Sequence, residues 1–420
     1  MKYLYTLMLS TIPCSYLQAQ ISADTGNIVT AISQIITNIP GSGSDDYRAP
    51  NHMEINKWNA IIDNVLAQQY HTANDSAQTI GYRLRYFWDT IDTDKAYYIL
   101  EAIDTNYWGT YVYYPDYCRN LVIQATHPQK DLNTGQQGIF VFQQTKAAFF
   151  MLSGTNRCNS TMQSTCTGTT SSCSSNSAPY RISDLAHTTT SPFQYTLRRL
   201  MNWHNNLYYI QLHGFSKKST DPYVVLSNGS RIPPAVDYLL ALSANLYAED
   251  TVLTFKIAHI DLNWTRLIGF WNTQGRAINN SISPCDSNAT TSMGYFLHIE
   301  QERTRLRNSQ TEWTKMANAL SATFNCNQVM PNNAPLSLKS LITIYPNPTR
   351  QHITVTFTTP TIDTGVRMVI YNRIGQALQQ ELITEQQATY NVSSLPFGLY
   401  FLVFYNLDGS LIYKEKLSIK

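Results

Sequence analysis

Charge is scarce in this chain. Asp, Glu, Lys and Arg make up 14% of its 420 residues, and 30 basic against 28 acidic side chains leave a net charge of +2. No basic stripe is present, so the electrostatic footprint of a nucleic-acid partner is missing. Beyond the N-terminus no apolar run approaches the ~20 residues of a membrane-spanning helix, and no transmembrane span is expected. A Gly-x-Ser-x-Gly elbow is absent, which disfavours a hydrolase-type serine nucleophile. So are HExxH, a Walker-type phosphate loop and an EF-hand loop. No CxxC pair occurs, so a thiolate metal site lacks its usual spacing.

The N-terminus reads as an export signal. Lys2 is followed by the apolar stretch YLYTLMLSTIP and by Leu17-Gln18-Ala19, a small residue at the cut. Residues 1–19 are therefore expected to be a signal peptide, with Gln20 first in the mature chain. Six cysteines remain: Cys118, Cys158, Cys166, Cys173, Cys285 and Cys326. An even number in an exported chain points to disulfides, whose pairing the sequence leaves open. Cys158, Cys166 and Cys173 punctuate the Ser/Thr-rich stretch NSTMQSTCTGTTSSCSSNS and are expected to staple it.

The last eighty or so residues alternate short strand-like segments with turn residues. TRQHITVTFT, GVRMVIYNRIG, QALQQELI, ATYNVSS and LYFLVFYN are separated by Gly365, Gly375, Pro396, Gly398 and Gly409. This pattern predicts a small all-β sandwich of immunoglobulin-like type. Tyr345-Pro346-Asn347-Pro348, Tyr371-Asn372 before Gly375-Gln376, Gly398-Leu399-Tyr400 and a basic final strand carry a resemblance over residues 341–420. The segment resembles the C-terminal sorting domain of the Bacteroidetes type IX secretion system. That resemblance implies passage through the periplasm, recognition by the type IX machinery, and a destination outside the cell or on its surface.

Between the two ends the texture changes twice. Residues 20–106 read as a mostly helical entry segment leaning on the main domain, with apolar residues at helical spacing in ISADTGNIVTAISQIITNI and MEINKWNAIIDNVLAQQY. Residues 107–326 alternate strand-like YWGTYVYYP, NLVIQATHP, AAFFMLSGTNR, YYIQLHGF, VLTFKIAHI and GYFLHIEQE with helical stretches such as SPFQYTLRRLMNWHNN, PPAVDYLLALSANLYAE and EWTKMANALSATF. Strands alternating with helices predict an α/β domain with a mainly parallel mixed sheet. Residues 327–340, rich in Pro and Asn, read as a linker.

Three of these strands end in reactive side chains: NLVIQAT runs into His127 and Asp131, YYIQL into His213, and YFLHI into Glu300. Side chains at the carboxyl ends of strands in an open α/β sheet converge on ligands. His and Asp suit zinc, with a fourth position left for water. Zinc lowers the pKa of that water. Glu300 then has the chemistry of a general base. Arg157, after another strand, has the chemistry to bind a carboxylate or a developing oxyanion. His187, in Ser183-Asp184-Leu185-Ala186-His187, competes with His213 for the metal. Asp131 stands either as a ligand or as a group orienting His127.

This order of residues is similar to that of zinc carboxypeptidases and N-formylglutamate amidohydrolase-like enzymes. The resemblance implies His127, Asp131 and His213 at zinc, Arg157 on substrate and Glu300 as the catalytic carboxylate, acting on an amide or peptide bond. The spacing His-x-x-x-Asp departs from the carboxypeptidase His-x-x-Glu. The competing reading is a non-catalytic surface protein that binds glycan, supported by 28 Tyr and 7 Trp and by the hydroxyl-rich loop.

Overall fold

The computed structural model describes residues 21–92, 95–326, 342–357, 365–372, 376–406 and 411–420. The expected signal peptide and linker lie outside them. From residue 21 the chain runs β1 (Ser22–Gly26), α1 (Ile28–Thr37), α2 (His52–Leu66), α3 (Tyr70–Gln78), β2 (Tyr82–Asp89), β3 (Ala96–Ala102), β4 (Thr110–Tyr113) and β5 (Arg119–Ala125). It continues through α4 (Thr134–Thr145), β6 (Ala147–Leu152), the short strands β7 (Thr169–Thr170) and β8 (Ala178–Pro179), and α5 (Pro192–Trp203). Then come β9 (Tyr208–Gly214), β10 (Val224–Ser227), α6 (Tyr238–Glu249), β11 (Phe255–Ile257), α7 (Thr273–Ile278), β12 (Phe296–Gln301), α8 (Arg303–Leu306) and α9 (Gln310–Thr323).

Burial on both faces sets the architecture. In β5, Leu121, Ile123 and Ala125 point one way and Val122 the other, and all four are fully buried. Such a strand has to be covered twice. One face carries Leu121, Ile123, Phe150, Ile210, Leu212 and Ile299 against α1, α4, α6 and α9. The other carries Val122, Phe149, Met151, Tyr209 and Phe296 against α2, α3 and α5. The helices begin where local chemistry dictates. Asn51 and Glu54 close a reciprocal capping box at α2, and Ser191 caps α5 with Pro192 in its first turn.

The sheet has ten strands in the order β1-β2-β3-β4-β6-β5-β9-β12-β10-β11. Its middle, β6-β5-β9-β12, is parallel, while β2, β3 and β4 pair antiparallel and β10 runs against β12. The α/β expectation therefore holds, with a mixed sheet. The reading of residues 20–106 as mostly helical needs correction: the segment supplies three helices, but β1, β2 and β3 belong to the same sheet as the rest. Tyr82, Tyr97 and Tyr98 are buried between layers there, and their aromatic texture masked the period-two signal.

The six cysteines form three disulfides, Cys118–Cys326, Cys158–Cys173 and Cys166–Cys285. Two of them hold the long connection between β6 and α5, the second tying it to the segment before β12. Part of the Tyr and Trp abundance is structural: Trp58, Trp108, Tyr82, Tyr97 and Tyr111 are among the largest fully buried side chains. Those residues lend no support to a glycan-binding surface.

The C-terminal part forms antiparallel sheets of its own. β13 (Ile342–Tyr345), β14 (His352–Phe357) and β17 (Gln387–Asn391) make one; β15 (Val366–Tyr371), β16 (Ala377–Ile383), β18 (Gly398–Asn406) and β19 (Leu411–Ile419) make the other. Ile353, Val355, Met368, Ile370, Leu402 and Phe404 fill the space between them.

The Cys118–Cys326 bridge spans 208 residues and joins the start of β5 to the chain after α9. Replacing both cysteines with Ala is expected to lower stability by about 2–5 kcal/mol, measured by urea denaturation against the parent chain. An unchanged midpoint would show that the bridge contributes nothing.

Candidate metal centre

β5, β9 and β12 lie side by side and parallel, so their carboxyl ends share one edge. Register then builds rows of side chains across them. Gln124 pairs with Gln211, and Gln211 with His298; one step further, Glu300 pairs with His213. Alternation along each strand puts these residues on the α5 side of the sheet. The chain leaving β5 turns back at once, bringing His127 and Asp131 over the row.

Four imidazoles, three carboxylates and a guanidinium meet there. Asp131 Oδ2 lies 2.9 Å from His213 Nδ1 and 3.4 Å from His127 Nδ1. His127 Nε2 is 2.8 Å from Asp184 Oδ1, and His187 Nδ1 is 2.9 Å from the same oxygen. Arg157 donates to Asp184 Oδ2 through Nε at 3.1 Å and Nη2 at 2.5 Å. His213 Nε2 is 2.8 Å from Gln211 Oε1, which also accepts from Asn272 Nδ2 at 2.5 Å. Glu300 Oε1 stands 4.0 Å from His298 Nε2. His127, His213, His298, Asp131, Asp184 and Glu300 are all buried.

Asp184 only accepts, so His127 donates to it through Nε2. The His127 Nδ1 is left facing Asp131 and, among the described residues, is buried without a hydrogen-bond partner. His213 has an acceptor at each ring nitrogen, Asp131 Oδ2 at Nδ1 and Gln211 Oε1 at Nε2, with Thr126 Oγ1 3.2 Å from Nε2. A cation bound by both Nδ1 atoms would leave the His213 proton on Nε2, where Gln211 accepts it. Ligand distances of about 2.0–2.1 Å separate tetrahedral vertices by about 3.3 Å, close to the 2.9 and 3.4 Å found here. The donor set fits a divalent cation held by His127, Asp131 and His213.

The titrations obey the same logic. Burial drives His213 down to about 4. Burial and Arg157 push His127 toward neutrality, but Asp184 and Asp131 outweigh them and lift it above the ordinary imidazole range. Despite burial, Arg157 and the two histidines hold Asp184 well below the usual carboxylate range. Burial and then Asp131 raise Glu300 well above it. A neighbouring dication reverses the balance for Glu300 and favours the carboxylate.

Two other groups bring donor atoms within 4.8 Å of one another: His127, Asp184 and His187, and His213, His298 and Glu300. In the first, both Asp184 oxygens are already engaged, and a cation there would face the Arg157 charge. The second shares His213 with the triad, and its Glu300 Oε1 lies 4.0 Å from His298 Nε2.

All six residues singled out from the sequence therefore lie in one cluster, with two changes of place. His187 reaches Asp184, not the Asp131 side, and stacks on Tyr180 with centroids 3.9 Å apart. Arg157 is held by Asp184 through Nε and Nη2, which leaves both N–H groups of Nη1 for another partner. Asp184 and Gln211, which orient the two histidines, had no distinguishing sequence signal beyond the Asp-x-x-His spacing. β12 lies inside the sheet between β9 and β10, and both His298 and Glu300 on it are buried.

Residues 343–420 match the family model described as the secretion system C-terminal sorting domain. This is a type IX sorting domain. It directs the chain to the outer cell surface or the extracellular space and implies contact with the type IX machinery. Among the described residues no helix is long and apolar enough to cross a membrane. No curated protein matches the chain.

The cluster yields two expected outcomes. Asp184→Asn is expected to weaken zinc binding by about 10–100-fold, read by competition with a chelator; unchanged affinity would separate Asp184 from the metal. In the chelated protein, His213 sits near 4 against about 6.5 unfolded. The unfolded chain takes up this proton first, so stability is intact above about pH 6.5 and falls as pH drops toward 4. The loss is on the order of 2–3 kcal/mol between pH 7 and 4.5. Urea titrations should show a smaller pH dependence in His213→Gln, and an equal one would contradict the assignment.

Proposed function

We propose that residues 21–326 form a zinc-dependent hydrolase of amide bonds, delivered outside the cell by the sorting domain. The observation that carries this reading is the pair of Nδ1 atoms of His127 and His213 turned onto Asp131, each ring held from behind by an acceptor. Imidazole and carboxylate donors suit zinc, and a three-ligand site leaves a position for water. Bound there, zinc supplies a Lewis acid and lowers the pKa of water.

The chain's own groups have separable tasks. His127, Asp131 and His213 hold the ion, and Asp184 and Gln211 keep the imidazoles in the metal-binding tautomer. Glu300 takes the proton of the attacking water and passes it to the leaving nitrogen. Arg157, fixed by Asp184, offers Nη1 to a substrate carboxylate or to the oxyanion. A cavity of about 320 Å3 bordered by Gly214, Phe215 and Arg307 reaches the triad at Asp131. The order of these residues along the chain, similar to that of zinc carboxypeptidases and N-formylglutamate amidohydrolases, supports an amide substrate.

Metal analysis of the purified full chain is the direct test. About one zinc per chain, lost in His127→Ala/His213→Ala, is the expected result. Glu300→Gln should keep the zinc and lower kcat by about 100-fold or more on whichever N-acyl amino acid or dipeptide the parent hydrolyses fastest. A chain without bound metal, or a Glu300→Gln variant of undiminished activity, overturns the reading.

A further inference from the structure

His298 has no task in the scheme above, yet it is built into the same site. It lies on β12 two residues before Glu300 and is 4% exposed. Its ring stacks on His213, with centroids 4.5 Å apart and planes 29° from parallel. Against it stands Gly269 at φ +61°, so close that a Cβ there would lie 2.9 Å from the imidazole Cγ and Cδ2 and 3.2 Å from Nδ1. That backbone angle and that approach together call for glycine. The loop before α7 is thus fitted to this ring.

The protonation pattern of the ring can be argued from its surroundings. Among the described residues, Nδ1 is buried and has no hydrogen-bond partner. A proton there would be an orphaned buried donor, which proteins tolerate less well than an orphaned acceptor. The ring is 4% exposed and its nearest carboxylate oxygen stands 4.0 Å away, beyond direct hydrogen-bond reach, so nothing in contact supports a second proton and the ring has one N–H. That N–H is Nε2–H. Nε2 stands 4.0 Å from Glu300 Oε1, too far for a direct bond. Two hydrogen bonds of about 2.8 Å meet on a single oxygen across such a gap at roughly a right angle. The other Glu300 oxygen, Oε2, is buried and, among the described residues, has no hydrogen-bond partner.

We propose that His298 is a further catalytic residue, its Nε2–H donating to the oxygen of the attacking water while Glu300 accepts that water's proton. The inference rests on the hydrolase reading given above. The two side chains orient the water between them. As its O–H bond breaks, the proton passes to Glu300, and the freed electron pair forms the bond to the carbonyl carbon while the carbonyl π pair moves onto its oxygen. When the C–N bond breaks, the amine leaves with the proton held by Glu300. His298 keeps its own proton throughout, and the Gly269 contact prevents the ring from turning away.

The test compares the zinc-loaded full chain with His298→Phe, which keeps a stacking ring but no N–H, and with His298→Gln, which keeps a donor. His298→Ala replaces the Phe variant if that one does not fold. A high-resolution crystal structure of the parent is expected to show one solvent oxygen within about 3.2 Å of both His298 Nε2 and a Glu300 oxygen. In His298→Phe, kcat should fall about tenfold or more with KM and zinc content unchanged, and His298→Gln should recover most of the loss. No solvent atom at that position, or an unchanged kcat in His298→Phe, overturns the proposal. So does loss of zinc from that variant, since His298 would then act by holding His213. A parent chain without zinc overturns the hydrolase reading itself, and metal analysis reports that separately from the solvent position.

Discussion

A carboxylate with 1% exposure survives in a protein interior only when donors surround it, and Asp184 is met by four: two from Arg157 and one each from His127 and His187. This one buried anion organises the site. It neutralises Arg157, fixes the His127 tautomer, and so leaves the Nδ1 lone pair facing Asp131. Removing the charge of Asp184 would leave a buried guanidinium without its counter-ion, a costlier state than either ion alone in water.

Asp184 is brought there by covalent links as much as by hydrophobic burial. Arg157 and Asp184 both belong to the long connection between β6 and α5, which has only the two-residue strands β7 and β8 and a short 3-10 turn to order it. Such a segment has too little apolar surface to fold by burial, and the Cys158–Cys173 and Cys166–Cys285 bridges take over part of that task. Disulfides of this kind persist in an oxidising environment, which agrees with the destination given by the sorting domain. Export chemistry and site geometry are therefore linked: outside the cell the loop is held, and with it the carboxylate that orients His127.

The strands bearing His213 and Glu300 were readable because each is a short apolar run ending in a polar residue, and α5, α6 and α9 because their apolar residues recur at helical spacing. α4 was harder to see. Ile139, Phe140, Val141 and Phe142 are all buried, as are Gly135 and Gly138. A helix buried nearly all round has no polar face to mark its period. Gly138 is needed there because a Cβ would stand 2.7 Å from the Phe150 ring, a reason that exists only in the packed structure.

The sequence by itself determined the chain's destination, the presence of disulfides, the α/β character of its larger part and the residue types of the candidate site, because each depends on composition or on neighbours close along the chain. Tertiary structure decided which cysteines pair, that residues 22–102 add strands to the same sheet, and that His187 and Arg157 serve Asp184. It also placed His298 in the interior beside Glu300. These outcomes depend on strand register and on contacts between residues as far apart as Asp131 and His213 or Gln211 and Asn272. Such pairings arise from which surfaces the fold brings together, and no local pattern in the chain encodes them.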